Sequence, residues 1–138
     1  MAFTGNYLCN TFKLGLPSAL FNFATGTTDV FKVALYTNNA TLDATTSAYT
    51  ATGEVSASGY SAGGQVLSPT VSSADGVTFI DFGDVSWSAA LTARGALIYK
   101  NGGGAICVLD FGADRTSTTT FQLQFPANTN ISALIRFP

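Results

Sequence analysis

The sequence lacks histidine altogether and is poor in charge: 10% of its 138 residues are charged, with six Lys and Arg against eight Asp and Glu. The absence of histidine excludes Ser-His-Asp and Cys-His catalytic arrangements and removes the side chain that most often transfers protons near neutral pH. A Ser-Lys pair with Lys13, Lys32 or Lys100 is conceivable, but no serine adjoins any of them. We therefore expect a protein that is not an enzyme and binds no cofactor.

Cysteine is scarce as well, with only Cys9 and Cys107. There is no CxxC motif and no histidine to complete a zinc site, so we expect no metal. One disulfide is arithmetically possible. The sequence favours two reduced cysteines that behave as small apolar residues.

Long runs of basic or apolar residues are also missing. The basic residues are scattered, so we expect no direct contact with nucleic acid, because tight binding draws on clustered phosphate contacts. No stretch approaches the roughly 18 apolar residues that span a membrane. The run KLGLPSALFNFA has no positive charge before Lys13 and contains Pro17, so we interpret it as a buried or interface segment rather than a signal peptide.

What the chain does contain is typical of an all-β protein: 46% hydrophobic residues, 11 Phe, 5 Tyr and many Ser, Thr and Gly. Its length suits one domain. Apolar residues between Phe12 and Phe23 have near-helical spacing, which predicts an N-terminal arm over residues 1–28 with one short helix starting near Pro17. Residues 29–138 show strand-type periodicity and predict a single β-sandwich domain.

Several segments predict strands. Phe31, Val33 and Leu35 alternate with other residues in 30–37, which predicts a strand with one buried side. NGGG between two apolar runs predicts a hairpin in which Asn101 and Gly102 supply positive φ angles. The strands are expected at 30–37, 77–87 (covered on both faces), 95–100, 105–112, 118–126 and 133–137, with weaker ones at 53–60 and 64–68. No helix separates these strands, about eight in all, so we predict a jelly-roll-like antiparallel β-sandwich.

The stretch GEVSASGYSAGGQ, residues 53–65, is rich in glycine and raises the question of a phosphate-binding loop. Its glycine spacing fits neither the dinucleotide fingerprint nor the P-loop, and no GK[ST] occurs in the chain. We therefore interpret it as a bending element with Val55 and Tyr60 as packing anchors.

Two carboxylate pairs, Asp81 with Asp84 and Asp110 with Asp114, are candidates for acid-base chemistry or calcium binding. Both pairs lie where a strand gives way to a glycine-containing turn, which favours local backbone hydrogen bonds instead.

Three aromatic residues could line a sugar-binding face, but in so apolar a chain they are more typical of a core. They are Tyr60, Trp87 and Tyr99.

The phrases FKVALYTNNATLDATTSAYTATGEVSASGYSAGGQVL (31–67), LTARGALIYK and VLDFGADRTSTTTFQLQFP resemble the capsid cement, or decoration, proteins of short-tailed bacteriophages, of the type described for a Bordetella phage. The resemblance covers most of the chain from Phe3 onward. It implies a jelly-roll protein on the outer capsid surface of the virion, made and assembled in the host cytoplasm. Such a protein would bridge neighbouring major capsid protein subunits, as a homodimer or a trimer.

On this basis we expect intersubunit contacts from the N-terminal arm and from the loop at 38–52. The residues predicted to make them are Phe3, Tyr7, Phe12, Asn38, Asn39, Leu42 and Tyr49. The alternative is that these aromatics close the bottom of the sandwich. Two other functions stay open: a receptor- or carbohydrate-binding module of a tail fibre, and a hydrolase that uses Asp81 or Asp110.

Overall fold

The computed structural model of the chain describes residues 3–24 and 26–137. These residues form one short helix and ten strands. In chain order the elements are β1 (Tyr7–Leu8), α1 (Asn10–Gly15), β2 (Phe31–Tyr36), β3 (Gln65–Leu67), β4 (Pro69–Ala74), β5 (Val77–Phe82), β6 (Val85–Trp87), β7 (Thr92–Lys100), β8 (Ala105–Thr116), β9 (Phe121–Leu123) and β10 (Ile135–Phe137).

The strands form three antiparallel sheets. The largest has the order β1-β8-β7-β2-β3, and the smaller ones have the orders β10-β5-β4 and β6-β9. One face of β2, carrying Phe31, Val33 and Leu35, shares a core with Phe82 of β5 and Trp87 of β6. The large sheet therefore packs on the two small ones, and the predicted antiparallel all-β sandwich is confirmed.

The opposite face of the large sheet is covered too, so the prediction that β2 has one buried side is wrong. Ala34 and Tyr36 point to this second face and have no exposed surface. They pack against Phe3 from the N-terminal segment and Leu42 from the loop after β2. These segments cover the second face because their apolar side chains lose contact with water there.

The N-terminal helix lies earlier than predicted. It spans Asn10–Gly15 instead of starting near Pro17. A helix through Pro17 is not possible here because Ala19 has a φ of 60°, in the left-handed region. The predicted boundary between residues 28 and 29 falls in the connection that leads to β2, and Phe12, Phe21 and Phe23 belong to the main core.

Two strand predictions are corrected. Residues 53–60 form no strand; Glu54 makes a single bridge with Tyr36, after which the chain turns away. The segment 77–87 is not one strand but two, β5 and β6, which belong to different sheets.

A further strand, β4, was not predicted. It forms a hairpin with β5 through a two-residue turn at Asp75 and Gly76, whose φ angles are 53° and 78°. Asp-Gly is the pair that such turns prefer, so the local signal was present in the sequence.

The hairpin of β7 and β8 is confirmed, with strands longer than predicted. Gly102 has a φ of 75°, but Asn101 does not adopt a positive φ.

The glycine stretch at 53–65 bends the chain as predicted: Gly53, Gly59, Gly63 and Gly64 all have positive φ. Val55 and Tyr60 are buried in the main core.

Candidate interaction surface

The predicted interface residues divide into two groups. Phe3, Phe12 and Leu42 are each only 1% exposed. Their burial favours the alternative that these side chains close the sandwich, because a side chain covered by its own chain offers no surface to a partner. Asn38 and Asn39 are exposed, and Tyr7 and Tyr49 are half-buried, so a contact role for these four stays a prediction.

One carboxylate connects the loop that follows β2 to the glycine stretch. Glu54 accepts hydrogen bonds from the hydroxyls of Tyr49 (2.5 Å) and Tyr60 (2.7 Å) and from the backbone N–H of Gly63 (2.8 Å). The Tyr60 hydroxyl also accepts the N–H of Leu35 in β2. Glu54 therefore joins the loop, the glycine stretch and the large sheet through charge-assisted hydrogen bonds.

The tyrosines around Glu54 are poor acids. The hydrogen bond to Glu54 raises the pKa of Tyr49 to about 12, with burial and the charge of Glu54 adding to it. Burial, followed by the charge of Glu54, raises the pKa of Tyr99 to about 12. These hydroxyls stay protonated near neutral pH and act as hydrogen-bond donors.

The predicted local backbone hydrogen bonds are found for Asp110 but, among the described residues, not for the other carboxylates of the two pairs. Asp110 accepts the N–H of Gly112 and lies 3.3 Å from Nε of Arg94. Asp84 accepts the N–H of Phe125. Asp81 differs because it is buried within β5 and its Oδ1 has no hydrogen-bond partner among the described residues.

The aromatic residues weighed as a sugar-binding face lie in the core. Tyr60, Trp87 and Tyr99 are 9%, 2% and 3% exposed. The prediction that they are core residues is confirmed.

The two cysteines are buried and form no disulfide, as predicted. Burial raises the pKa of the Cys9 thiol to about 11, and the charge of Asp43 adds to the rise. Burial also raises the pKa of the Cys107 thiol. Because the thiolate is the reactive form, the raised pKa values and the burial disfavour reaction of either thiol at neutral pH.

Within residues 3–24 and 26–137, no group of three or more His, Cys, Asp or Glu side chains is placed to hold a metal ion. In the same part of the chain, no helix is long and apolar enough to cross a membrane.

A largely apolar groove of about 470 Å³ lies between the segment that follows α1 and the sheet β10-β5-β4. We call it the apolar groove. Val71 and Phe137 in it are 49% and 37% exposed, and the nearby Leu20 is 59% exposed. No charged residue lines it. The lining consists of Leu16, Phe21, Asn22, Phe23, Ala24, Val71, Thr78, Ile80 and Phe137.

The strand β4 reaches this groove at Val71 and forms one edge of its sheet. Among the described strands it pairs only with β5, so the backbone groups on its other side have no partner in another described strand. Its sequence, PTVSSA, contains no charge, and most of its residues are exposed. Exposed edge strands are usually protected by charges or by a covering segment, and β4 has no charge of its own.

Sequence reasoning missed this surface. Val71 is the only large apolar residue in PTVSSA, so the segment shows no alternation. The Asp-Gly turn after it was the signal that could have identified β4.

Comparisons of the chain with protein-family models, with curated protein sequences and with solved structures found no match.

Proposed function

We propose that the protein is a capsid cement protein of a tailed bacteriophage, which binds the outside of the shell and connects neighbouring major capsid protein subunits. The observation that supports this proposal is the uncharged apolar groove beside the unpaired edge of β4. Contiguous apolar surface next to a free strand edge is typical of a site where another protein binds.

The chemistry of the surface supports a partner segment that is extended and uncharged. An extended segment of the capsid protein without charges would pair with the backbone of β4 and place apolar side chains near Val71 and Phe137. A charged segment would lose hydration without gaining an ion pair, because no charged residue lines the groove. Each contact would be modest, and many copies on one shell would resist internal pressure together. We include a second copy of the chain among the proposed partners.

The proposal is tested with Val71→Lys, which places a charge on the free edge beside the groove. The expected result is roughly tenfold weaker binding to shells assembled from the major capsid protein of the same phage, because the charge must be desolvated on docking. Binding is measured by co-sedimentation. Val66→Lys is the matched control, since Val66 is 61% exposed on the edge strand β3 and does not line the groove.

Equal binding by the two variants, with both folded by circular dichroism, would refute the groove as the binding surface.

The number of copies in purified virions tests the function itself. Hundreds of copies support a cement protein, whereas a handful located in the tail support the tail-associated receptor- or carbohydrate-binding alternative.

A further inference from the structure

A second cavity lies on the other side of the large sheet, between the turn that joins β7 to β8 and the loop after β2. It is open, with a volume of about 520 Å³. Two of the chain's three lysines, Lys32 and Lys100, line it, and no Asp or Glu does. Tyr49, Tyr99 and the backbone of residues 101–103 form much of the remaining wall.

The two lysines differ in their partners. The Nζ atom of Lys100 is 3.2 Å from Oδ1 of Asp29 and donates a hydrogen bond to the carbonyl of Leu20. Lys32 makes no ion pair and no hydrogen bond to any residue in the described part of the chain. It is half-buried on β2, between β3 and β7, so its ammonium is a positive charge in the cavity wall that has no ion-pair partner among the described residues.

The aromatic wall is rigid. The ring of Tyr49 stacks on Tyr99, with centroids 5.1 Å apart and planes at 29°. The Tyr49 hydroxyl is bonded to Glu54, and the Tyr99 hydroxyl donates to the carbonyl of Gly63 at 2.6 Å. Tyr49 therefore keeps its half-exposed ring in one position without a ligand, which lowers the entropy cost of binding one.

The third component of the wall is the polar side chain of Asn101. The side chain of Asn101 is exposed and makes no hydrogen bond to the described residues, so its amide can both donate and accept. Gly102 beside it leaves open space where a side chain would stand. Glu54 does not line the cavity, but its carboxylate lies behind the wall, where it accepts hydrogen bonds from Tyr49 and Gly63, so it offsets part of the charge of Lys32 without forming an ion pair with it.

We propose that this cavity binds a saccharide that carries a carboxylate, such as a uronic acid unit. The apolar face of a sugar ring would pack on Tyr49, its hydroxyls would bond to Asn101 and the turn backbone, and its carboxylate would pair with Lys32. A single free cation with an aromatic platform fits one acidic sugar better than a phosphate backbone, which requires many cations. The inference does not depend on the shell-binding proposal, because it concerns a different surface.

The experiment titrates the isotopically labelled full chain with glucuronate and with glucose, which differ only at the carboxylate, and follows backbone amide resonances. Glucuronate is expected to shift the resonances of Lys32, Gly63 and residues 101–103, with at least about fivefold tighter binding than glucose. Lys32→Met should reduce glucuronate binding to the level of glucose, and Lys32→Arg should retain most of it. Lys13→Met, on the exposed face of α1, is the control and should change nothing.

Two further arms make the outcome decisive. Tyr49→Ala, checked for retained folding, should weaken both sugars, because it removes the platform. Sodium acetate tests whether a carboxylate alone is enough. Shifts by acetate with the affinity of glucuronate, no localised shifts by glucuronate at tens of millimolar, or unchanged glucuronate binding by Lys32→Met would each overturn the proposal.

Discussion

At the scale of single residues, Asp81 is the charge that the fold accommodates least well. Its side chain is buried in β5, and its Oδ1 has no partner among the described residues. Burial raises the pKa of this carboxyl, the backbone N–H groups of Phe82 and Leu134 lower it part of the way back, and Asp84 adds a small rise. The ionised form is therefore less favourable in the folded protein than in the unfolded chain.

Asp81→Asn is expected to raise the free energy of unfolding at pH 7 by about 1 kcal/mol, because it removes a buried unpaired charge. With a folded-state pKa above the unfolded one, the wild type is relatively most stable below the unfolded pKa and loses that stability as pH rises through the folded pKa. The gain from Asp81→Asn should thus grow with pH and then level off. Urea unfolding at several pH values measures it.

Asp114→Asn is the control for this experiment, since Asp114 is exposed and should show little effect. A lower stability of Asp81→Asn at pH 7 would contradict the prediction and would mean that the charged carboxylate is needed by the fold.

At Gly64 the backbone conformation and the neighbouring atoms leave no room for a side chain. Its φ is 79°, and a Cβ there would overlap the carbonyl oxygen of Val33 and lie 2.6 Å from the carbonyl carbon. Gly64→Ala should therefore lower the free energy of unfolding by more than about 3 kcal/mol. Gly102→Ala has a similar φ of 75° but meets nothing within 4 Å, so its cost should be about 1 kcal/mol.

Thermal or urea unfolding of both glycine variants separates the two contributions. Equal losses in Gly64→Ala and Gly102→Ala would indicate that backbone conformation alone matters, and that β2 and the glycine stretch are not in close contact at Val33.

At the scale of elements, the N-terminal segment acts as part of the sandwich. Strand β1 pairs with β8, and Phe3 packs in the second core. Deleting residues 1–8 should lower the free energy of unfolding by about 3 kcal/mol or more, because it uncovers the second face of the large sheet. Leu8→Ala, at a 38% exposed position, should cost far less. An unfolding curve unchanged by the deletion would contradict this placement.

The same contacts explain which elements the sequence could predict. The alternation in β2 and β9 comes from burial against the core, and it appears directly in the order of the residues, whereas β7 and β8 appear as apolar runs on either side of NGGG. The position of α1 did not follow from apolar spacing, because the left-handed conformation of Ala19 depends on how the segment packs. β4 was missed because its partner and its turn, rather than its own side chains, make it a strand.

At the scale of the whole molecule, the sandwich class followed from composition and strand count, but the second buried face did not. Leu35 and Tyr36 are adjacent in the sequence and point to opposite faces of β2. The order of the residues alone does not reveal that another segment covers the face that carries Tyr36. The candidate surfaces were equally hidden. The sequence predicted contacts from Phe3, Phe12 and Leu42, which are buried, whereas the groove at Val71 and the cavity at Lys32 each depend on segments distant in the chain.

The pairing of β1 with β8 also constrains how the protein is made. Tyr7 and Leu8 find their partners at Val108 and Cys107, about a hundred residues later. During synthesis, the first strand must wait until most of the chain has left the ribosome, and sheets closed by such distant contacts form slowly. β2 can pair earlier with β3 and β7, whereas β1 stays without a partner until β8 has been synthesised, so the large sheet of a nascent chain is completed only when β8 is available.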